Sequence, residues 1–204
     1  DNMKEFWDAR YKAENYAYGK NPNQYFKTQI DLLPPGKILL PAEGEGRNAV
    51  YAASLGWDVF AYDFSKYAYR KAMALAKEKQ VEINYQIASL DGLSFTASVF
   101  DVIGLIYVHF PDSIIASNHR KLSSLLKKGG TIILEAFSTN HPNYQKINPA
   151  VGGPKLPSQL YSEEKLKNDF EELEFNELKE EKITLAEGAF HNGDTTVMRM
   201  NAVK

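Results

Sequence analysis

Apolar and polar positions follow two rhythms along this chain. Short unbroken apolar runs recur at Ile38-Leu39-Leu40, Trp57 to Tyr62, Ile83 to Ala88, Phe100 to Tyr107 and Thr131 to Phe137, and each reads as a buried strand. Between them the apolar residues take helical spacing. Asn48 to Leu55 is a small-residue helix stopped by Gly56. Ser65 caps a helix over Lys66 to Lys79, whose Ala68, Ala72, Leu75 and Ala76 face the sheet. Asp112 begins a helix to Lys127, ended by basic residues and by Gly129-Gly130. Strands alternating with helices predict an α/β fold, a mostly parallel sheet with helices on both faces.

The two ends depart from this rhythm. Lys4 to Ala13 has helical spacing, with Phe6, Trp7, Arg10 and Tyr11 on one face. A second helix is predicted to start at Asn21-Pro22, with Asn as cap and Pro at the first position, and to stop at Pro34-Pro35-Gly36. Aromatics cluster in this leading segment, so it packs on something, either as core or as a lid with Arg10, Tyr18 and Asn23 turned inward. Residues 138–158 hold four prolines and read as a loop of ~20 residues with a functional role. Ser162 caps a short helix, and Phe175 to Leu185 with Thr195 to Val203 form a terminal hairpin around 187–193. The chain reads as one domain over residues 1–204: a helical cover (1–35), a cofactor-binding core (36–137), and a substrate loop, helix and hairpin (138–204).

Composition narrows the chemistry. There is no cysteine among 204 residues, which excludes disulfides, cysteine nucleophiles and thiolate metal sites. A formal net charge of -2 gives no field that draws nucleic acid or an anionic membrane. No apolar run approaches a membrane span and no signal peptide is visible, so a cytoplasmic location is expected.

The candidate chemistry lies where predicted strands end. After the first strand comes the turn Glu43-Gly44-Glu45-Gly46, then a helix, then a second strand ending on Asp63. Gly44 and Gly46 lack Cβ, so backbone can turn sharply and a ligand can approach closely. Asp63, ~20 residues downstream, stands where a carboxylate accepts both hydroxyls of a ribose. Glu43 and Glu45 would repel a pyrophosphate, and a cationic nucleoside such as S-adenosylmethionine fits better. A nicotinamide-dependent oxidoreductase calls for a third glycine and a non-acidic turn, and this turn has neither. Ser89-Leu90-Asp91 and Tyr107-Val108-His109 map to the same sheet edge, the carboxyl ends of parallel strands where such folds bind ligands.

The chain resembles the class I S-adenosylmethionine-dependent methyltransferases, and more narrowly the small bacterial tellurite-resistance and thiopurine methyltransferase group. The resemblance runs through Phe6-Trp7-Asp8-Ala9-Arg10-Tyr11, Tyr18-Gly19, Pro22-Asn23, Glu43 to Ala49, Leu126 to Gly130, Gly152-Gly153-Pro154-Lys155 and Glu187-Gly188 with His191 and Gly193. It implies a Rossmann-like seven-stranded sheet with one antiparallel strand. It implies that Ala42, Gly44 and Gly46 flank the methionine part of the cofactor, that Asp63 takes the ribose hydroxyls, and that Phe64 lies against the adenine. Ser89 and Leu90 stand at the adenine edge, with Asp91 as a substitute acid, and Tyr107 lines the methionine side. Glu43, Asn48 and Ser65 join this cofactor set. The sequence departs from the family at Leu40-Pro41-Ala42, where Asp-Leu-Gly is usual, and Glu43 is the candidate replacement carboxylate.

The implied function is methyl transfer to a small soft or anionic acceptor, such as a thiol or a metalloid oxyanion; a non-catalytic sensor of the same fold is the alternative. Methyl transfer needs alignment and exclusion of water more than a catalytic dyad. Arg10, Tyr18, His109 and His191 are the candidates for acceptor contact or proton transfer. His119 is expected on a helix surface and His141 in a loop. No ligand spacing supports a metal site.

Overall fold

The computed structural model describes residues 2–204. Seven strands form one sheet: β1 (Lys37–Leu40), β2 (Asp58–Asp63), β3 (Asn84–Ile87), β4 (Phe100–Ile106), β5 (Leu126–Phe137), β6 (Glu174–Ala186) and β7 (Asn192–Val203). Their order across the sheet is β3-β2-β1-β4-β5-β7-β6. Strands β1 to β5 pair in parallel, and β7 runs antiparallel between β5 and β6. The order reverses beside β1, which places the switch point between the ends of β1 and β4.

The helices are α1 (Asn2–Lys12), α2 (Gln24–Ile30), α3 (Arg47–Ser54), α4 (Lys66–Glu78), α5 (Ile115–Leu125), α6 (His141–Ile147) and α7 (Glu163–Asp169). One core, around Phe26, Ile38, Val59 and Leu75, lies under α2, α3 and α4. The other, around Phe100, Leu105, Leu122 and Phe170, lies under α5 and α7. Central strands are buried on both faces, which is why their sequences are apolar without alternation. No helix among the described residues is long and apolar enough to cross a membrane.

Three expected boundaries move. Helix α2 starts at Gln24, and its cap is Asn23, whose side chain accepts from the Phe26 N–H at 2.9 Å. Asn21-Pro22 lies outside it. Residues 127–130 do not end a helix but open β5: Gly129 N–H donates to the Lys204 carbonyl at 2.7 Å and Lys204 N–H returns to Gly130 at 3.0 Å. Strand pairing with the chain terminus outcompetes the helical turn there. Finally, residues 138–158 are not a bare loop. They hold α6 and two short 3-10 turns, Pro149–Val151 and Pro157–Gln159.

Candidate functional site

The carboxyl ends of β1, β2 and β3 meet at Gly44. Its N–H donates to Asp63 Oδ2 at 3.0 Å, and its carbonyl accepts the Tyr85 hydroxyl at 2.6 Å. Asp63 Oδ1 accepts from the Ser65 N–H at 3.0 Å, and the Asp63 carbonyl accepts from Ala88 N–H at 3.0 Å, which brings Ser89 alongside. Asp63 is buried, and burial raises its pKa to about 6. Ala42 is exposed at the end of β1 with φ +48, so an alanine holds a left-handed geometry that favours glycine. Gly46, at φ +88, caps α3 where a Cβ would lie 2.7 Å from that of Ala72.

The acidic turn works differently from the sequence expectation. Glu43 Oε2 accepts from the Ala49 N–H at 2.6 Å and so ties down the start of α3; burial raises its pKa to about 8. Glu45 is buried and faces the N-terminal segment. It accepts from Ala17 N–H at 2.7 Å and pairs with Lys71 at 2.6 Å. Both acids serve the scaffold, so they do not select the ligand's charge by contact. The cover is closed over this turn: a Cβ on Gly44 would lie 2.7 Å from the Tyr11 hydroxyl, and Trp7 stacks on Tyr11 at 5.5 Å. Burial and the charge of Asp63 hold the Tyr11 phenol protonated.

Beyond β4 the chain builds a second wall. Tyr107 has φ +53, a strained conformation for an aromatic residue and one that concentrates at functional sites. Its ring meets His191 at 4.7 Å and Phe137 at 4.7 Å. Tyr18 lies 4.4 Å from His191 and accepts from Arg10 at 3.0 Å. The Arg10 guanidinium sits 4.0 Å from the Phe190 ring and 4.8 Å from Phe6. Burial lowers the pKa of His109 to about 4 and that of His191 well below the usual range, with Arg47, His109, Arg10 and His141 adding to the effect on His191. Beneath this wall runs a network that sequence reasoning missed. Asn23 donates to Glu135 at 2.6 Å and to Glu187 at 3.0 Å, Arg47 pairs with Glu187 at 2.7 Å, and Arg199 with Glu135 at 2.7 Å. Its bonded pairs are up to 164 positions apart, so no local pattern announces it.

Several expected contacts turn elsewhere. The Asn48 amide oxygen accepts from Asn23 N–H at 2.9 Å, and Ser65 is fully buried as the cap of α4. Both support the site from behind. Phe64 is half-buried and Ser89 exposed at the rim, whereas Leu90 is buried. Asp91 is exposed and lies 3.6 Å from Lys121. His119 is not on a surface: it is buried and bonds Asp169 at 2.8 Å, joining α5 to α7. His141 is buried at the start of α6, with Nδ1 on Thr195 and Nε2 2.8 Å from the Gly152 carbonyl. Among the described residues no cluster of His, Cys, Asp or Glu is arranged to hold a metal.

Comparison with known proteins matches this geometry. Residues 38–130 match a protein family described as a methyltransferase domain. An uncharacterized methyltransferase of Schizosaccharomyces pombe is 31% identical over 126 residues, covering 57% of this chain and 86% of the relative. Among solved structures, one from work on conversion of a disulfide bond into a thioacetal group in echinomycin biosynthesis superposes with TM-score 0.77 at 18% identity, over 99% of this chain and 92% of the other. TehB from Haemophilus influenzae superposes with TM-score 0.70 at 16% identity, over 98% and 66%. Magnesium protoporphyrin IX methyltransferase from Synechocystis, with bound S-adenosylmethionine, gives 0.67 at 14%, over 100% and 96%. The residues fit that cofactor at a buried carboxylate, Asp63, and an open backbone at Ala42, while the Tyr11 hydroxyl occupies the space over Gly44. The chain belongs to the methyltransferases.

Proposed function

We propose that the methyl acceptor is a small soft or anionic molecule that binds between the N-terminal cover and the wall made by Tyr107, His109 and His191. The observation that carries this reading is Arg10. It is held between Phe6 and Phe190 and bonded to Tyr18, yet among the described residues it has no carboxylate partner. A cation ringed by aromatics suits a polarisable or negatively charged guest. The structural neighbour from work on conversion of a disulfide bond into a thioacetal group lends support from a distance.

S-adenosylmethionine supplies an electrophilic methyl group on a sulfonium when bound. Asp63, Gly44 and Ala42 would hold its sugar and amino-acid ends. Tyr107, with its backbone fixed in a strained turn, shapes the wall facing the acceptor. The cover, through Trp7, Tyr11 and Tyr18, excludes water. Thiols, metalloid oxyanions and small amines, each assayed for S-adenosylhomocysteine release, test the reading. Release with thiols or oxyanions is expected, with KM raised in Arg10→Gln for an anionic acceptor. Release with amines alone contradicts it.

A further inference from the structure

The end of β2 carries a buried phenol next to Asp63. Tyr62 is 4% exposed, and its Oη is sealed from solvent with no hydrogen-bond partner among the described residues. A buried hydroxyl is nearly always paired. Two other buried phenols follow that rule: Tyr85 donates to the Gly44 carbonyl at 2.6 Å, and Tyr161 to the Val108 carbonyl at 3.3 Å. The acceptors on either side of Tyr62 already have donors. Asp63 Oδ2 takes the Gly44 N–H and Oδ1 the Ser65 N–H. The Leu90 carbonyl takes Lys121 Nζ and the Leu93 N–H, each at 3.3 Å, and the Ser89 carbonyl takes the Gly92 N–H at 3.0 Å.

Two acids bracket the phenol. Asp63 stands at the end of its own strand, and Asp91 lies on the short 3-10 turn Leu90–Gly92 that follows β3. Burial raises the Tyr62 pKa, and the charges of Asp63 and Asp91 raise it further, so the phenol keeps its proton. Tyr62 shares one apolar core with Leu90 and with Val108 and Phe110, which follow β4. It therefore sits under the turns after β3 and β4, on the side of the rim away from Ala42 and Gly44. The turn Leu90–Gly92 has no side-chain cap and two closing backbone bonds, so it can shift without breaking a strand.

Resting on the placement of the cofactor's ribose at Asp63, we infer that Tyr62 is a cofactor-binding residue that reads the base: its hydroxyl donates to a ring nitrogen of the adenine. The ribose hydroxyls are donors for the Asp63 carboxylate, and the amino-acid end belongs at Ala42 and Gly44. The acceptors left for a phenol on the Asp91 side are the ring nitrogens of the base. Leu90, Val108 and Phe110 bring apolar side chains to this edge, so the hydroxyl supplies the polar contact among them. Unpaired, it destabilises the empty protein; paired, it stabilises the complex. Its removal therefore acts with opposite sign on stability and on affinity.

The test uses the full chain and Tyr62→Phe, which deletes the hydroxyl and little else. Thermal unfolding is followed without ligand. Calorimetric titration uses S-adenosylhomocysteine and its 1-deaza, 3-deaza and 7-deaza analogues, each with one ring nitrogen replaced by C–H. The empty variant is expected to unfold at the wild-type temperature or above it, yet to bind S-adenosylhomocysteine about three- to tenfold more weakly. One analogue should bind the wild type more weakly by a similar factor, and for that analogue the two proteins should bind alike. Three results overturn the inference: unchanged affinity for S-adenosylhomocysteine, a loss equal for all three analogues, or an empty variant that unfolds at a lower temperature. Asp63→Ala separates it from the ribose placement. Weaker binding in Asp63→Ala with none in Tyr62→Phe overturns the inference alone. Unchanged binding in both, or no binding by the folded wild type, overturns both.

Discussion

Gly44 and Asp63 are joined by one hydrogen bond, 3.0 Å from the backbone N–H to Oδ2, that ties the turn after β1 to the end of β2. Tyr85 on β3 bonds the other side of Gly44 at 2.6 Å, so three adjacent strand ends are locked together. Asp63→Ala releases two backbone N–H groups and removes the acceptor for the ribose. Cofactor affinity is expected to fall by about 1–3 kcal/mol. Fluorescence titration with S-adenosylhomocysteine checks it, and an unchanged Kd would place the sugar elsewhere.

Protonation of Asp63 gives that same site a pH signature. Burial raises its pKa from 3.8 to about 6. An acid raised in this way favours the folded state in its neutral form: its contribution is full below 3.8 and is lost as pH rises through about 6. Cofactor binding has the opposite sign, because ribose hydroxyls donate to the carboxylate. Affinity should therefore weaken by about tenfold per pH unit below 6, for one linked proton. A Kd that stays flat as the pH falls through this range contradicts the assignment.

Ala42 carries strain that glycine would remove. At φ +48 its Cβ crowds the backbone, and the side chain is exposed, so nothing is lost by deleting it. Ala42→Gly is expected to stabilise the protein by about 0.5–1 kcal/mol, the left-handed penalty less the added freedom of the unfolded chain. Urea unfolding measures it; a loss of stability would mean that the methyl group packs.

Glu45 latches the N-terminal segment to the core. It bonds Ala17 N–H at 2.7 Å and pairs with Lys71, which also reaches the Asn15 carbonyl at 2.6 Å. Glu45→Ala leaves a buried N–H without its acceptor and a largely buried ammonium without its carboxylate, at a cost of about 2–4 kcal/mol. Limited proteolysis between α1 and α2 should accelerate in this variant. Equal cleavage rates would show that the aromatic contacts hold the segment by themselves.

Two glycines separate backbone strain from steric contact. A Cβ added at Gly153, where φ is +84, would lie 2.6 Å from His141 Nε2 and 2.8 Å from Phe137, whereas one added at Gly129, where φ is +83, would meet nothing within 4 Å. Gly129→Ala is expected to cost about 1–2 kcal/mol from conformation alone, and Gly153→Ala about 1–3 kcal/mol more. Thermal unfolding of both variants decides it. Equal costs would mean that the wall behind His141 yields.

What was legible in the sequence was local. A glycine turn, an acid at a strand end and a run of apolar residues each announce themselves within a few positions, so the strands, the α4 cap at Ser65 and the rim residues Gly44 and Asp63 were readable. The role of Glu45 was not, because its partners Ala17 and Lys71 are set by how the cover folds back, whereas Glu43, expected as the replacement carboxylate of the turn, bonds Ala49 only six positions on. His141 and His119 were misplaced for the same reason: burial is set by distant elements, α6 packing on β7 and α7 on α5. The Asn23–Glu135–Glu187 network joins three regions of the chain, and only the folded sheet brings them together.

Calorimetric titration of the folded protein with S-adenosylhomocysteine tests most directly whether this rim is a cofactor site. Tyr11 stands over Gly44, so the ring must give way as the ligand enters. The expected result is saturable heat at one equivalent, abolished or weakened in Asp63→Ala. No heat from folded protein, with either S-adenosylhomocysteine or S-adenosylmethionine, would mean that Tyr11 closes the turn permanently and would contradict the account.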